Sequence, residues 1–208
     1  MLPVGSGSYK TIFAWFNKFS KLNVFERAFH DIEKWYRKVR RRNSPVHVVD
    51  TSFVKNQYGR DCVGRNPTDR GRKATKVSLM TDGVGTPIEM AFHPANKHDC
   101  KTLHHILHRS ARRHKLVGRG TRHADKGYDS RRCRDLVESY GLRPCIGRRG
   151  QHVDRMSNAV RVVVEQVFGL FDKYRRLLMR FDAKIVNFKS FHFLAATLFV
   201  SRRIRWLC

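Results

Sequence analysis

Apolar residues recur at three- and four-residue steps in two stretches near the start of the chain. Ile12, Phe13, Trp15, Phe16 and Phe19 form one stripe, and Phe25, Ala28, Phe29, Ile32, Trp35, Tyr36 and Val39 form a second. This period predicts two helices within residues 1–43, with Asn23 as the N-cap of the second. Asn43-Ser44-Pro45 breaks the period and marks a boundary. Val46-His47-Val48-Val49-Asp50 is an apolar run closed by a carboxylate and predicts a buried strand. Residues 59–76, rich in Gly, Pro and cations, predict a loop. Two strands follow at 76–81 and 87–92, joined through Asp82-Gly83 and Gly85, residues suited to a hairpin turn. Asp99 is expected to cap a helix running to about His114. A fourth strand at 122–125, a helix at 130–140 closed by Gly141, and a fifth strand at 142–146 come next. A basic loop at 147–151 leads to a long helix at 157–176 and a last apolar helix at 190–206. Trp15, Trp35 and Trp206 are assigned to the core. Three hairpin-linked strands followed by alternating helices and strands imply an α/β fold, a mixed sheet with helices on its faces.

Charge changes what this fold is for. The 208 residues hold 43 Lys plus Arg against 17 Asp plus Glu, a formal net charge of +26. A compact body this basic repels itself unless a polyanion neutralises it, so nucleic acid is the default partner. The core is real, because 41% of the residues are hydrophobic and a disordered polybasic tail is excluded. The longest apolar stretch, 193–200, is far below the roughly 20 residues a spanning helix needs. No uninterrupted apolar segment near the start marks secretion. Cys62, Cys100, Cys133, Cys145 and Cys208 are scattered, with no C-x-x-C pair, so neither a zinc ribbon nor a disulfide framework is expected and a reducing compartment fits.

With so few acids, their placement is informative. Asp99 and Asp82 suit a cap and a turn, and Glu33 and Glu138 suit solvated helix positions. Asp50 and Asp125 each close a predicted strand, where ligands approach the edge of a sheet. Glu165 lies in a helix whose apolar face is Val160, Val163, Val164, Val167, Phe168 and Phe171. Three carboxylates brought together offer hard oxygen donors to divalent cations, and two such ions can activate water and stabilise a leaving 3′-oxygen. His98, His104, His105, His108 and His114 crowd one helix, but no cysteine or carboxylate completes a zinc set there, and a polar helix face explains them. Arg65, Arg70, Arg72 and Lys73, in an exposed Gly-containing loop, suit phosphate contact. The basic run at 37–42 suits a solvated helix end or DNA.

The residues also resemble a family. Val48-Val49-Asp50-Thr51-Ser52, the stretch 64–76, Asp82-Gly83-Val84-Gly85-Thr86-Pro87, Ala124-Asp125-Lys126-Gly127-Tyr128-Asp129-Ser130, the stretch 161–169, Tyr174-Arg175-Arg176-Leu177 and Arg180-Phe181-Asp182 occur in the order seen in DDE transposases of the insertion-sequence-five family, within the insertion-sequence-four-like superfamily. The resemblance covers nearly the whole chain. It implies an RNase H-like mixed five-stranded sheet with flanking helices at 44–208, preceded by a short helical segment at 1–43 as a remnant of a DNA-binding region. It implies a catalytic and metal-binding triad of Asp50, Asp125 and Glu165, separated by 74 and 39 intervening residues. It implies two Mg²⁺ ions, replaceable by Mn²⁺, and cut-and-paste transposition: hydrolysis at transposon ends, then strand transfer to target DNA.

Expected partners are double-stranded DNA, as ends and as target, and further copies of the chain assembled on it, with no membrane. Expected DNA contacts are Arg65, Arg70, Arg72, Lys73, Lys126, Arg148, Arg149, Arg161 and Lys173. A location in the bacterial cytoplasm or nucleoid follows, or the nucleus or a viral factory in a eukaryotic host. The superfamily's Tyr, Arg, Glu, Lys signature is matched by Arg161 and Glu165, whereas Asn158 and Asp172 depart from it and Lys173 stands one position late. Those departures, with a start short for the family, leave a DNA-binding remnant without catalysis, or a domesticated nuclease-like protein, as the alternative. An RNA-packing protein is the reading from charge alone.

Overall fold

The computed structural model describes Gly5, residues 7–40, 45–114 and 120–148, Gly150, and residues 155–205, the side chains of 114, 155–161 and 205 excepted. Helices α1 (Tyr9–Lys21) and α2 (Val24–Arg40) open the chain. Asn23 lies between them with φ 53°, a left-handed conformation that asparagine tolerates, and its carbonyl accepts the Arg27 N–H. Asn23 therefore turns the chain as well as starting the second helix.

The sheet is built around β1 (Val46–Asn56). On one side β1 pairs antiparallel with β3 (Lys73–Asp82), which pairs antiparallel with β4 (Pro87–Pro94) and with the two-residue β2 (Gly64–Arg65). On the other side β1 runs parallel to β5 (Thr121–Ala124), and β5 parallel to β6 (Arg143–Ile146). A second two-residue strand, β7 (Met179–Arg180), pairs with the end of β1. The five longer strands stand in the order β4-β3-β1-β5-β6. This is the RNase H-like mixed sheet with flanking helices that the motifs imply.

Alternation along the strands divides the core in two. Val48, Val54, Val77 and Leu79 point to the face covered by α2, α5 (Arg155–Phe171) and α7 (Ile185–Arg205). There they meet Phe29, Val164, Val167, Phe171, Phe188 and Phe193. Val49, Met80 and Ala124 point to the opposite face, under α3 (Asp99–His114) and α4 (Arg131–Ser139), against Leu103, Ile106, Leu107 and Val137. Each fully buried Phe or Leu contributes about 1.5–3 kcal/mol through removal of apolar surface from water.

Several sequence expectations change. The loop expected at 59–76 contains β2 and the start of β3, because Asn66 organises a tight turn: its side-chain oxygen accepts the Thr68 N–H and its carbonyl the Gly71 N–H. The helix expected to reach Arg176 stops at Phe171, and a separate turn of helix, α6 (Arg175–Leu178), follows. Asp172 therefore lies outside α5 and shares no helix face with Glu165.

Trp15 and Trp35 are 50% and 48% exposed rather than in the core, since their stripes are wider than the faces α1 and α2 bury. Trp206 lies outside the described residues. His98, not Asp99, caps α3, its Nδ1 accepting the Cys100 N–H, while the Asp99 carboxylate takes the Lys76 ammonium at 2.7 Å. Glu33 is not solvated; it is buried and paired with Arg37 Nε at 2.6 Å. Cys100 and Cys133, 33 residues apart in sequence, form a disulfide joining α3 to α4, a pairing that only the packing of those helices reveals. Among the described residues, no helix is long and apolar enough to cross a membrane.

Candidate functional site

The register of β1 with β5 runs from Val46 opposite Thr121 to Val49 opposite Ala124. Asp50 follows Val49 and Asp125 follows Ala124, so the two acids stand on neighbouring strands, whose usual spacing is roughly 4.8 Å. There β5 ends and a 3-10 turn (Lys126–Tyr128) begins, while β1 continues. Asp50 pairs across β1 and β3 with Leu79, which belongs to the core under α5. Alternation assigns Asp50 to that same face.

Glu165 comes to this face from α5, which packs across β3, β1 and β5. Val164 is buried against the sheet, and at 100° per residue Val163 and Glu165 flank it on opposite sides. Val163 crowds the β3–β4 turn so closely that a Cβ on Gly85 would come within 2.8 Å of its Cγ1. Glu165, exposed, therefore lies toward β5, the side on which Asp125 stands. Asp50 does not close its strand as the apolar run suggests: β1 runs on to Asn56, because residues 51–55 keep pairing with β3. Asp50 therefore stands mid-strand, while Asp125 directly follows the end of β5 and Glu165 lies above on α5.

The chemistry of this donor set, carboxylate oxygens without thiolate or imidazole, suits a hard divalent cation. Among the described residues, no three His, Cys, Asp or Glu side chains are drawn together closely enough to hold a metal ion as they stand. The Asp50 Oδ1 accepts its neighbour Thr51 N–H at 2.8 Å.

Tyr128 closes the 3-10 turn after Asp125 and is buried beneath it in the α3 and α4 core. Burial pushes its phenol upward, and the carboxylates of Asp99 and Asp50 push the same way, while Thr51 and Thr102 oppose.

The expected DNA-contact residues divide into separate groups. Arg65, Arg70, Arg72 and Lys73 are exposed on the β2–β3 hairpin, with Arg65 paired to Lys73 and Arg70 at φ 47°. Lys55 pairs with Ala74 while Asp50 pairs with Leu79, so the hairpin stands five positions along β1, roughly 17 Å from the carboxylates. Lys126 is half-buried at the start of the 3-10 turn. Arg148 is exposed just after β6, and Arg149 lies outside the described residues. Arg161 lies within α5, one helical turn before Glu165, its side chain outside the described set. Lys173 follows α5 and lines a cavity of about 360 Å³ with Tyr174, Arg175, Phe191 and Leu198.

Among the described residues three cations are buried: Arg180, Lys76 and Arg122. Arg180 is fully buried and donates to the Asp61 carboxylate at 2.6 Å, to the Asp61, Asp182 and Ala183 carbonyls, and to Thr75 Oγ1. It fastens the approach to the hairpin. Lys76, buried in β3, holds Asp99 and the Lys97 carbonyl. Lys76 shares β3 with the exposed Lys73, and Arg180 belongs to the Arg180-Phe181-Asp182 motif; neither position announces its burial locally.

Comparison with known proteins places these residues in context. Residues 41–206 match the family described as Transposase DDE domain. A Burkholderia cepacia protein named as a transposase for insertion sequence element IS402 is 33% identical over 133 residues, 62% of this chain and 63% of that protein. The chain thus spans less than two thirds of the length of that relative. Among solved structures, the catalytic core domain of BIV integrase aligns with a TM-score of 0.47 at 13% identity, covering 75% of this chain and 84% of that one. The Mos1 strand transfer complex aligns with a TM-score of 0.45 at 15% identity, covering 85% of this chain and 61% of that one.

Proposed function

Since the chain belongs to the Transposase DDE domain family, matched over residues 41–206, we propose that it is a transposase acting on the ends of its own element, of the insertion-sequence-five type. The observation that carries this reading is the adjacency of Asp50 and Asp125 on parallel strands beneath the helix that carries Glu165. In this reading residues 44–208 form the catalytic domain, and residues 1–43 are a helical segment whose α1 and α2 pack against α7.

Asp50, Asp125 and Glu165 would hold the divalent cations, Mg²⁺ in the cell with Mn²⁺ as substitute. Bound there, two cations supply activation of the attacking oxygen and stabilisation of the leaving 3′-oxygen. The chain itself binds and orients the DNA. Arg65, Arg70, Arg72 and Lys73 grip phosphates along one hairpin, and Lys126 and Arg148 do so beside the strand ends. In the first step water attacks the phosphorus at the element's end, the 3′-oxygen leaves with a proton, and a 5′-phosphate and a 3′-hydroxyl result. In the second that 3′-hydroxyl attacks a target phosphodiester, and the target's 3′-oxygen leaves. One phosphodiester forms as one breaks, so no external energy source is needed. Two ends must meet, and copies of the chain assemble on double-stranded DNA to bring them together.

Incubation of the protein with Mg²⁺ and a duplex carrying the element's terminal repeats is expected to release 3′-hydroxyl ends, and Asp125→Asn to abolish the release while leaving binding intact. Equal cleavage by the variant would overturn the assignment. A second reading, DNA binding without chemistry, draws on the absence of a close three-acid group among the described residues. It predicts salt-sensitive binding and no cleavage with any divalent cation.

A further inference from the structure

A cavity of about 590 Å³ opens beside α3 and α4, lined by Lys97, Lys101, His104, His105, Arg132 and Cys100 among others. Among the described residues its lining holds five basic or imidazole side chains and no carboxylate. The Lys97 ammonium stands 3.4 Å from His105 Nε2, and His105 stacks edge-on against His93 at 5.0 Å. Burial, and then Lys97, hold the His105 imidazole below its ordinary value; the same causes push His93 down to about 3. Asp99, the acid nearest in sequence to Lys97 and Lys101, is engaged by Lys76 rather than turned to these cations. A concave site with clustered positive charge and no internal counter-charge is built to receive an anion.

The two walls are held together. The Cys100–Cys133 disulfide links α3 to α4, so Lys101 and Arg132, each next to one of those cysteines, move as one body. A site whose cations are fixed before binding loses little freedom on binding. The cleft lies on the α3–α4 side of the sheet, opposite α5, and the turn after Asp125 reaches the start of α3: a Cβ on Gly127 would be 3.7 Å from Asp99 Oδ2.

We propose that this cleft grips the phosphodiester backbone of the DNA that the carboxylate face cuts, as a phosphate clamp separate from the β2–β3 hairpin. The inference rests on the transposase reading, because the ligand is that reading's substrate.

The test uses the full chain and a 30-base-pair duplex, with affinity measured across a salt series. Each phosphate contact contributes about 0.9 to the slope of log affinity against log salt. Lys97→Ala/Lys101→Ala/Arg132→Ala is expected to lower that slope by about 2–3. Lys10→Ala/Lys21→Ala/Lys34→Ala, which removes the same charge from α1 and α2, is expected to lower it by less than about 1. Equal slopes for the cleft variant and the wild type, or equal losses in both variants, would overturn the clamp. Should the triple variant fail to fold, Lys101→Ala alone, on an exposed residue, is expected to lose about 0.9.

A second arm follows acetylation of Lys97 and Lys101 with either the duplex or inorganic tripolyphosphate present. Protection by the duplex supports the clamp, whereas protection by tripolyphosphate alone assigns the cleft to a small polyphosphate and overturns the DNA assignment. A wild-type chain that binds no duplex at all removes the transposase reading instead.

Discussion

Arg180 and Asp61 form an ion pair at 2.6 Å between residues 119 positions apart, one fully buried and the other half exposed. The pair joins β7 to the segment leading into the β2–β3 hairpin, and the same guanidinium also satisfies three carbonyls and a hydroxyl. Removing the cation strands those acceptors. Arg180→Ala is expected to cost about 3–5 kcal/mol, read as a lower denaturation midpoint, whereas Asp61→Asn, at an exposed position that keeps a hydrogen bond, is expected to cost about 1 kcal/mol. Similar losses for both would mean that the carboxylate, not the wider network, is what matters.

Glu33 gives stability a definite pH dependence. Burial lifts its carboxyl to about 7, against the opposing effect of Arg37, while Asp82 and Glu89 add to the rise. Between its ordinary value near 4.5 and about 7, the folded chain keeps a proton that the unfolded chain has released. Stability from this group is therefore full at low pH and falls as pH rises through that window, by on the order of 3 kcal/mol. Glu89, raised by burial at the neighbouring edge strand, acts in the same direction. Glu33→Gln is expected to melt above the wild type at pH 8 and to show a flatter pH profile. A variant that melts lower at pH 8 than at pH 5, in parallel with the wild type, would count against this account.

The disulfide yields a prediction that needs no substrate. Cross-linking residues 33 apart restricts the unfolded chain, which stabilises the folded one by about 2–4 kcal/mol. Without reductant, Cys133→Ala is expected to lower the melting temperature, and adding reductant to the wild type to reproduce most of that loss.

Much of this was legible in the residues. Three- and four-residue apolar spacing marked α2 and α5, and apolar runs marked β1, β3 and β4. Asp125 could be placed at a strand end because it follows an apolar run and precedes a change of pattern. Asp50 looked like a strand end only because its apolar run stops there; β1 pairs on to Lys55 through Thr, Ser and Lys positions that the pattern does not mark. What stayed hidden depends on neighbours distant in sequence. The end of α5 at Phe171 has no proline or glycine after it to announce it, and Gly169 lies inside the helix. Trp15 and Trp35 read as core because a helical stripe does not say how much of itself is covered. Arg180 stands in a motif, yet nothing in that motif shows its burial until Asp61 and Thr75 are beside it. The cleft beside α3 and α4 draws on residues from two helices whose sequence separation hides their meeting.

The hairpin offers a test of DNA contact independent of cleavage. Replacing Arg65, Arg70, Arg72 and Lys73 together by alanine is expected to reduce the salt slope of duplex binding by about 3–4, with little change in melting temperature, since all four are exposed. An unchanged slope would move the phosphate path elsewhere on the surface.

Inheritance and folding divide this chain differently. The family match begins at residue 41, yet Phe29, in α2 before that point, is fully buried and meets the ring of Phe193 at 5.7 Å. Glu26, also in α2, receives Arg109 from α3 at 2.6 Å. A fragment cut to the matched region would bare one side of α7 and leave Arg109, Arg113 and Glu89 without the Glu26 carboxylate that both arginines share. The smallest piece that stands alone in water is therefore larger than the piece shared with the family, and α2 belongs to the foundation rather than the porch.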